Sequence, residues 1–194
     1  SGPTAFMAGN FIDYPGAGFD PMLLKSFQKE YQMENLSPAS FVFQQIIIDP
    51  VGFLKMIGLK LYFYFNDLEG PSNLSIYLYL ENSRILPFMI SHFSLFSSLG
   101  LIGIVLAVQK KEKIFLLYAF LASLILSVII FHVVSRFRVP SAPFMILFAA
   151  YAVGRAYNWW CQREYKPVAV FVMTFIILFY ALRVPENYTG VRYV

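Results

Sequence analysis

From Ile85 to Val108 the chain carries no charged side chain, and that run dictates its surroundings. A helix rising about 1.5 Å per residue needs about 20 apolar residues to cross a bilayer. Three more runs follow, Ile114 to Val134, Val139 to Trp160 and Pro167 to Leu182. The last is thin and borrows its flanks. Lipid offers no partner to backbone polar groups, so these runs must be helical. The expected fold is all-α and integral to the membrane, with about four transmembrane helices plus short extracytoplasmic and interfacial helices. Composition agrees: 58% of residues are hydrophobic and 13% charged, where a soluble domain has roughly 25% charged.

Charge divides the chain. Residues 1–83 carry net −4 and residues 84–194 carry net +8. The first part reads as an extracytoplasmic loop with interfacial helices, the second as a four-helix transmembrane domain. The basic residues flank the apolar runs and form no polybasic surface, so nucleic acid is not an expected partner and membrane lipid is. The two tight loops within the second part hold Lys110, Lys111, Lys113, Arg163 and Lys166, with Arg155 just before the second. A bias of this kind places those loops in the cytoplasm. Both termini and the turn at Arg136 and Arg138 are then extracytoplasmic. Arg155 follows Arg138 too closely to lie beyond a full span, so it must snorkel or face protein. The single Cys161 excludes an intrachain disulfide. The first residue is Ser and no signal peptide precedes it, so a processed product or fragment is expected.

Residues 1–35 are turn-rich, with Gly9-Asn10, Pro15-Gly16 and Gly18, and read as a loop. Ser37-Pro38 is a helix start, Ser as cap and Pro in the first turn, for a helix through Ile48. Asp49-Pro50 repeats the signal for a second helix to Phe65. Lys55 and Lys60 make it too charged to span. It is expected in the interface, its lysines snorkelling and Tyr62 to Phe65 dipping into lipid. Asn66-Asp67 and Gly70-Pro71 end it.

Several constellations could carry chemistry. Ser135-Arg136-Phe137-Arg138-Val139-Pro140 puts two guanidinium groups beside a helix start, with Pro140 suited to the first turn. That combination suits a phosphate or carboxylate; headgroup anchoring is the plainer alternative. His92 and His132 are expected near one leaflet, where a histidine pair can ligate haem. Polar lining of a protein-facing seam is the favoured explanation, since one His per helix is a weak signal, and no cofactor is inferred. His132 stands four residues before Arg136, which would put both on one helical face. Asp13 and Asp20 match no metal-ligand spacing and read as turn residues. Glycosylation sequons stand at Asn35, Asn73 and Asn187. No nucleophile elbow, phosphate loop, dinucleotide fingerprint or zinc spacing occurs.

A series of short motifs resembles one family. Gly9-Asn10, Pro50 with its apolar stretch to Lys60, Asn66, Glu69, Asn73, the stretch from Ser135 to Pro140, and Pro143 resemble the C-terminal half of a GT-C type glycosyltransferase. The likeness is to the bacterial protein-mannosyltransferase and lipid A aminoarabinose transferase kind, where an Arg-aromatic-Arg-x-Pro turn precedes an apolar helix ending in small residues, here Phe144 to Gly154. The resemblance implies an inner-membrane enzyme using a polyprenyl-phosphate sugar carrier on the extracytoplasmic side. It further implies that Arg136 and Arg138, with His132 beside them, contact the carrier phosphate or support its pocket. Lys60 and Glu69 would line or brace the cavity roof. In that family the catalytic carboxylates lie in a first loop that this sequence does not contain. The chain alone is therefore expected to be inactive. Two readings stay open: the donor-lipid-binding part of a transferase whose N-terminal half is elsewhere, or a non-catalytic structural subunit of a larger membrane complex.

Overall fold

A computed structural model describes residues 6, 7, 9–11, 37–67, 93–111, 113–131, 133 and 138–183. Among them the regular structure is helical: α1 (Pro38–Ile48), α2 (Pro50–Phe65), α3 (Phe93–Gln109), α4 (Phe115–Ile130), a 3₁₀ turn (Val139–Ser141), α5 (Ala142–Cys161) and α6 (Tyr165–Leu182). Two compact units emerge. The described residues within 1–64 and 122–140 form one, and those within 65–68, 83–121 and 141–194 form the other.

In the first unit the local chemistry sets the helix boundaries. The Ser37 hydroxyl accepts the Ser40 N–H at 3.2 Å and caps α1, with Pro38 in the first turn. Asp49 leaves helical geometry (φ −142°, ψ 83°), and its carboxylate accepts the Gly52 N–H at 2.8 Å. One residue thus ends α1 and caps α2. No residue of α1 is buried, although Phe43, Ile47 and Ile48 are each about two-thirds exposed. Met7, Met56, Phe63, Tyr64, Val128 and Val133 supply buried apolar side chains.

In the second unit α3 and α5 pack along a seam of small residues. Ser94, Ser97, Ser98, Gly100, Gly103 and Ala107 are buried on α3, facing Met145, Phe148, Ala149 and Ala152 of α5. Gly100 meets Met145 and Gly103 meets Phe148, so the two helices run parallel. Without a Cβ the backbones approach closely, as small residues allow in membrane helices. Tyr118 stacks on Phe148 with centroids 5.5 Å apart, and Phe120 on Phe144 at 6.0 Å. The falling numbers on α5 make α4 antiparallel to it. Helix α6 packs on both α3 and α5.

Two tight turns close the helix pairs. After α5, Arg163 takes the left-handed conformation (φ 60°); its N–H bonds Trp160 at 3.0 Å and the Glu164 N–H bonds Trp159 at 2.9 Å. This paired pattern is a Schellman cap. After α3, Lys111 adopts φ 56° and its N–H bonds Val108 at 3.0 Å.

Helices α6 and the continuous stretch Val139–Cys161 are long and apolar enough to cross a membrane. Helix α3 is described only from Phe93 and α4 stops at Ile130, so both are shorter apolar helices here. Several expectations need correction. Phe63 and Tyr64 are buried inside the first unit and do not dip into lipid. Lys60 is fully buried and does not snorkel, whereas Lys55 is exposed. Pro140 lies in the 3₁₀ turn, and Pro143 takes the place in the first turn of α5. The expectation that His132 and Arg136 share a helical face lies outside the described residues.

Candidate functional site

The polar centre of the first unit is Lys60. A helix leaves its last carbonyls without backbone partners, and they carry the negative end of its dipole. Helix α4 ends inside this unit at Ile130. The Lys60 ammonium donates to the carbonyls of Ile129 at 2.7 Å and Phe131 at 3.0 Å. Its third proton goes to Asn10 Oδ1 at 3.2 Å. The Asn10 amide N–H donates to the Ile130 carbonyl at 2.6 Å and to Phe6 at 2.8 Å. Three successive carbonyls at the end of α4 are therefore capped by two side chains. The Phe6 ring packs edge-on against Phe131 at 5.9 Å.

Lys60 has three donors and uses all of them. Its partners are neutral, so the helix dipole and three oriented oxygens hold the charge without a carboxylate. Burial still pushes its ammonium down to about 8. At neutral pH the group stays mainly protonated and engaged, which suits a clamp on the backbone and leaves no proton for a ligand.

Arg138 behaves similarly. It is 2% exposed, and one guanidinium nitrogen donates to the Phe63 carbonyl at 3.0 Å. That bond fixes the chain just before α5 against the end of α2. Of the residues implicated by sequence, Lys60 and Arg138 thus both act on backbone carbonyls within this unit. Arg136, His132 and Glu69 lie outside the described residues, as do His92, Asp13, Asp20, Asn35, Asn73 and Asn187.

The second unit uses the opposite charge at the opposite helix end. The Asp67 carboxylate accepts the Ser94 N–H at 2.6 Å and the Ser94 hydroxyl at 2.7 Å, capping the start of α3. Its own N–H reaches the Leu182 carbonyl, the end of α6, at 3.4 Å. Sequence reasoning treated Asp67 only as a helix terminator. Its partner lies 27 residues away, so no local spacing could reveal it. Asn10 was visible as part of a turn and of the family-like series; a lysine on an apolar helix was the available signal for its partner.

Among the described residues no cluster of three or more His, Cys, Asp or Glu could hold a metal. No family model, curated protein or solved structure matches the chain.

Proposed function

We propose that the chain is a membrane-embedded helical module, with α3 to α6 crossing the bilayer as two hairpins and both termini extracytoplasmic, and that it serves a larger membrane assembly structurally. The exposure of α6 carries the membrane reading. Only 6% of its apolar stretch is buried, and Val170, Met173, Ile177 and Tyr180 are each more than 60% exposed. A core helix of a soluble protein would be mostly covered. A helix apolar all round and bare on nearly every side takes lipid or partner helices as its solvent. The structural role is supported by Lys60 and Arg138, whose charges go into capping and bracing the backbone.

Single cysteines at Ser72 and Lys111, in a Cys161→Ser background, test the topology. An impermeant thiol reagent added to intact cells is expected to label the first and spare the second; the reverse pattern refutes this orientation.

The transferase reading gains from one observation: Arg138 is braced on the Phe63 carbonyl within the first unit, as a support for a carrier pocket must be. The variants Arg136→Ala, Arg138→Ala and Arg138→Lys separate the readings. For a structural module, Arg138→Ala lowers stability by about 1.5–3 kcal/mol through loss of a charged hydrogen bond, and polyprenyl-phosphate affinity stays unchanged throughout. For a donor site, the same Ala variants weaken carrier binding roughly tenfold to a hundredfold, with Lys recovering part. Unchanged carrier affinity, measured in the full assembly, is the expected result.

A further inference from the structure

The basic end of the second unit is built in two tiers. Helices α3 and α5 run parallel with Gly100 beside Met145 and Gly103 beside Phe148, an offset that brings Lys110 level with Arg155. Lys110, Lys111 and Lys113 are exposed in the turn after α3. Arg163 is exposed in the turn between α5 and α6 and Lys166 in the first turn of α6, and Glu164 is the described acid among them. Arg155 differs from these five. It is half-buried, six residues before the end of α5, and its guanidinium lies over the Trp159 ring, 5.5 Å from the centroid. Its Nε is buried and has no hydrogen-bond partner among the described residues. Tyr157, Trp160 and Tyr165, at the same end of the unit, are each about three-fifths or more exposed, with Trp160 and Tyr165 meeting edge-on at 5.8 Å. Exposed aromatic rings of this kind settle at headgroup depth.

We infer that Arg155, with Lys110, Lys111 and Lys113, forms a binding site for the phosphodiester headgroup of an anionic phospholipid, shelved on Trp159. The inference rests on the membrane reading. A guanidinium half-buried where the lysines are exposed, and seated on an aromatic face, can offer planar, two-pronged donation to a phosphate, while the lysines add diffuse attraction. A zwitterionic lipid brings the same phosphate with its own cation, which the basic tier repels.

The two tryptophans of the chain, Trp159 and Trp160, both stand here, so tryptophan fluorescence, excited selectively at the red edge, reads this end alone. The full chain is reconstituted in phosphatidylcholine vesicles containing a minor fraction of brominated phosphatidylglycerol or, separately, of brominated phosphatidylcholine. Preferential quenching by the anionic lipid is expected. The triple variant Lys110→Gln, Lys111→Gln, Arg155→Gln should lower its relative affinity by at least about tenfold. Arg155→Lys should lose part of it, and Arg183→Gln, at the other end of α6, none. Circular dichroism shows whether each variant keeps its helices; Arg155→Lys preserves charge and size should the triple variant unfold. Equal quenching by the two lipids, equal loss in Arg183→Gln, or displacement by excess inorganic phosphate overturns the site. Failure of both lipids to quench overturns the membrane reading itself.

Discussion

Lys60→Met is expected to destabilise the protein by about 2–4 kcal/mol while leaving its helical content largely intact. Methionine fits the space of the aliphatic stem, so the loss is chiefly polar. The Ile129 and Phe131 carbonyls lose their donors in a buried place, and Asn10 Oδ1 loses its own. Each stranded buried acceptor costs about 1–3 kcal/mol, and removing a buried charge returns part of that. Total stability of a domain is about 5–15 kcal/mol, so the effect should be plain in thermal unfolding in detergent. Lys60→Arg should not rescue it, because a planar fork cannot direct donors at three converging oxygens. A variant as stable as the parent would show that the cap contributes nothing.

The same residue has a pH signature. Lysine in the unfolded chain titrates near 10.5, and Lys60 in the fold near 8. Below pH 8 both states hold the proton, and the folded state bears the full cost of burying it. Between about 8 and 10.5 the unfolded state binds more protons, so this group's contribution to stability rises with pH. The difference between wild type and Lys60→Met, followed across that window, isolates it from the tyrosines. Wild type is expected to gain relative to the variant. A flat difference would mean that the helix dipole offsets the desolvation.

Local signals in the sequence were reliable where the determining chemistry is local. Ser37-Pro38 and Asp49-Pro50 place the starts of α1 and α2 because capping and the proline ring act within one turn. The apolar runs likewise place α5 and α6 to within a few residues. What the sequence could not reveal is how its sparse charges are used. Lys60 on an apolar helix has the same pattern whether it snorkels to water or caps a helix end 70 residues later. The outcome depends on where α4 stops, and the uncharged run through Val134 contains no stop signal at Ile130. Arg138 was equally ambiguous, since a buried carbonyl and a lipid phosphate both suit a guanidinium. The resemblance to GT-C transferases pointed at these same basic positions. It is their burial that turns the two described ones toward structural work.

The seam between α3 and α5 supports the other large effect. Gly103→Ala is expected to destabilise by about 2–4 kcal/mol, and Gly103→Leu to abolish the packing of the two helices. A Cβ at Gly103 would fall on the carbonyl oxygen of Phe148, and backbone cannot swing aside as a side chain can. The helices must separate, and every contact along the seam loosens with them. At Gly100 a Cβ would lie 2.6 Å from Met145 Cε and 3.0 Å from its carbonyl oxygen. The thioether end can move, so Gly100→Ala should cost less, about 1 kcal/mol. Gly154 on α5 has nothing within 4 Å of the added carbon. There the helix propensity of alanine prevails, and Gly154→Ala should stabilise by about 0.5–1 kcal/mol. The three substitutions add the same methyl group, so their order depends on packing alone. The parallel register gives an independent check: cysteines at Ala107 and Ala152, both fully buried, should cross-link in a Cys161→Ser background. Gly103→Leu should abolish that cross-link. Equal stability of Gly103→Ala and Gly154→Ala, with the cross-link intact in Gly103→Leu, would remove the seam as the element that holds the second unit together.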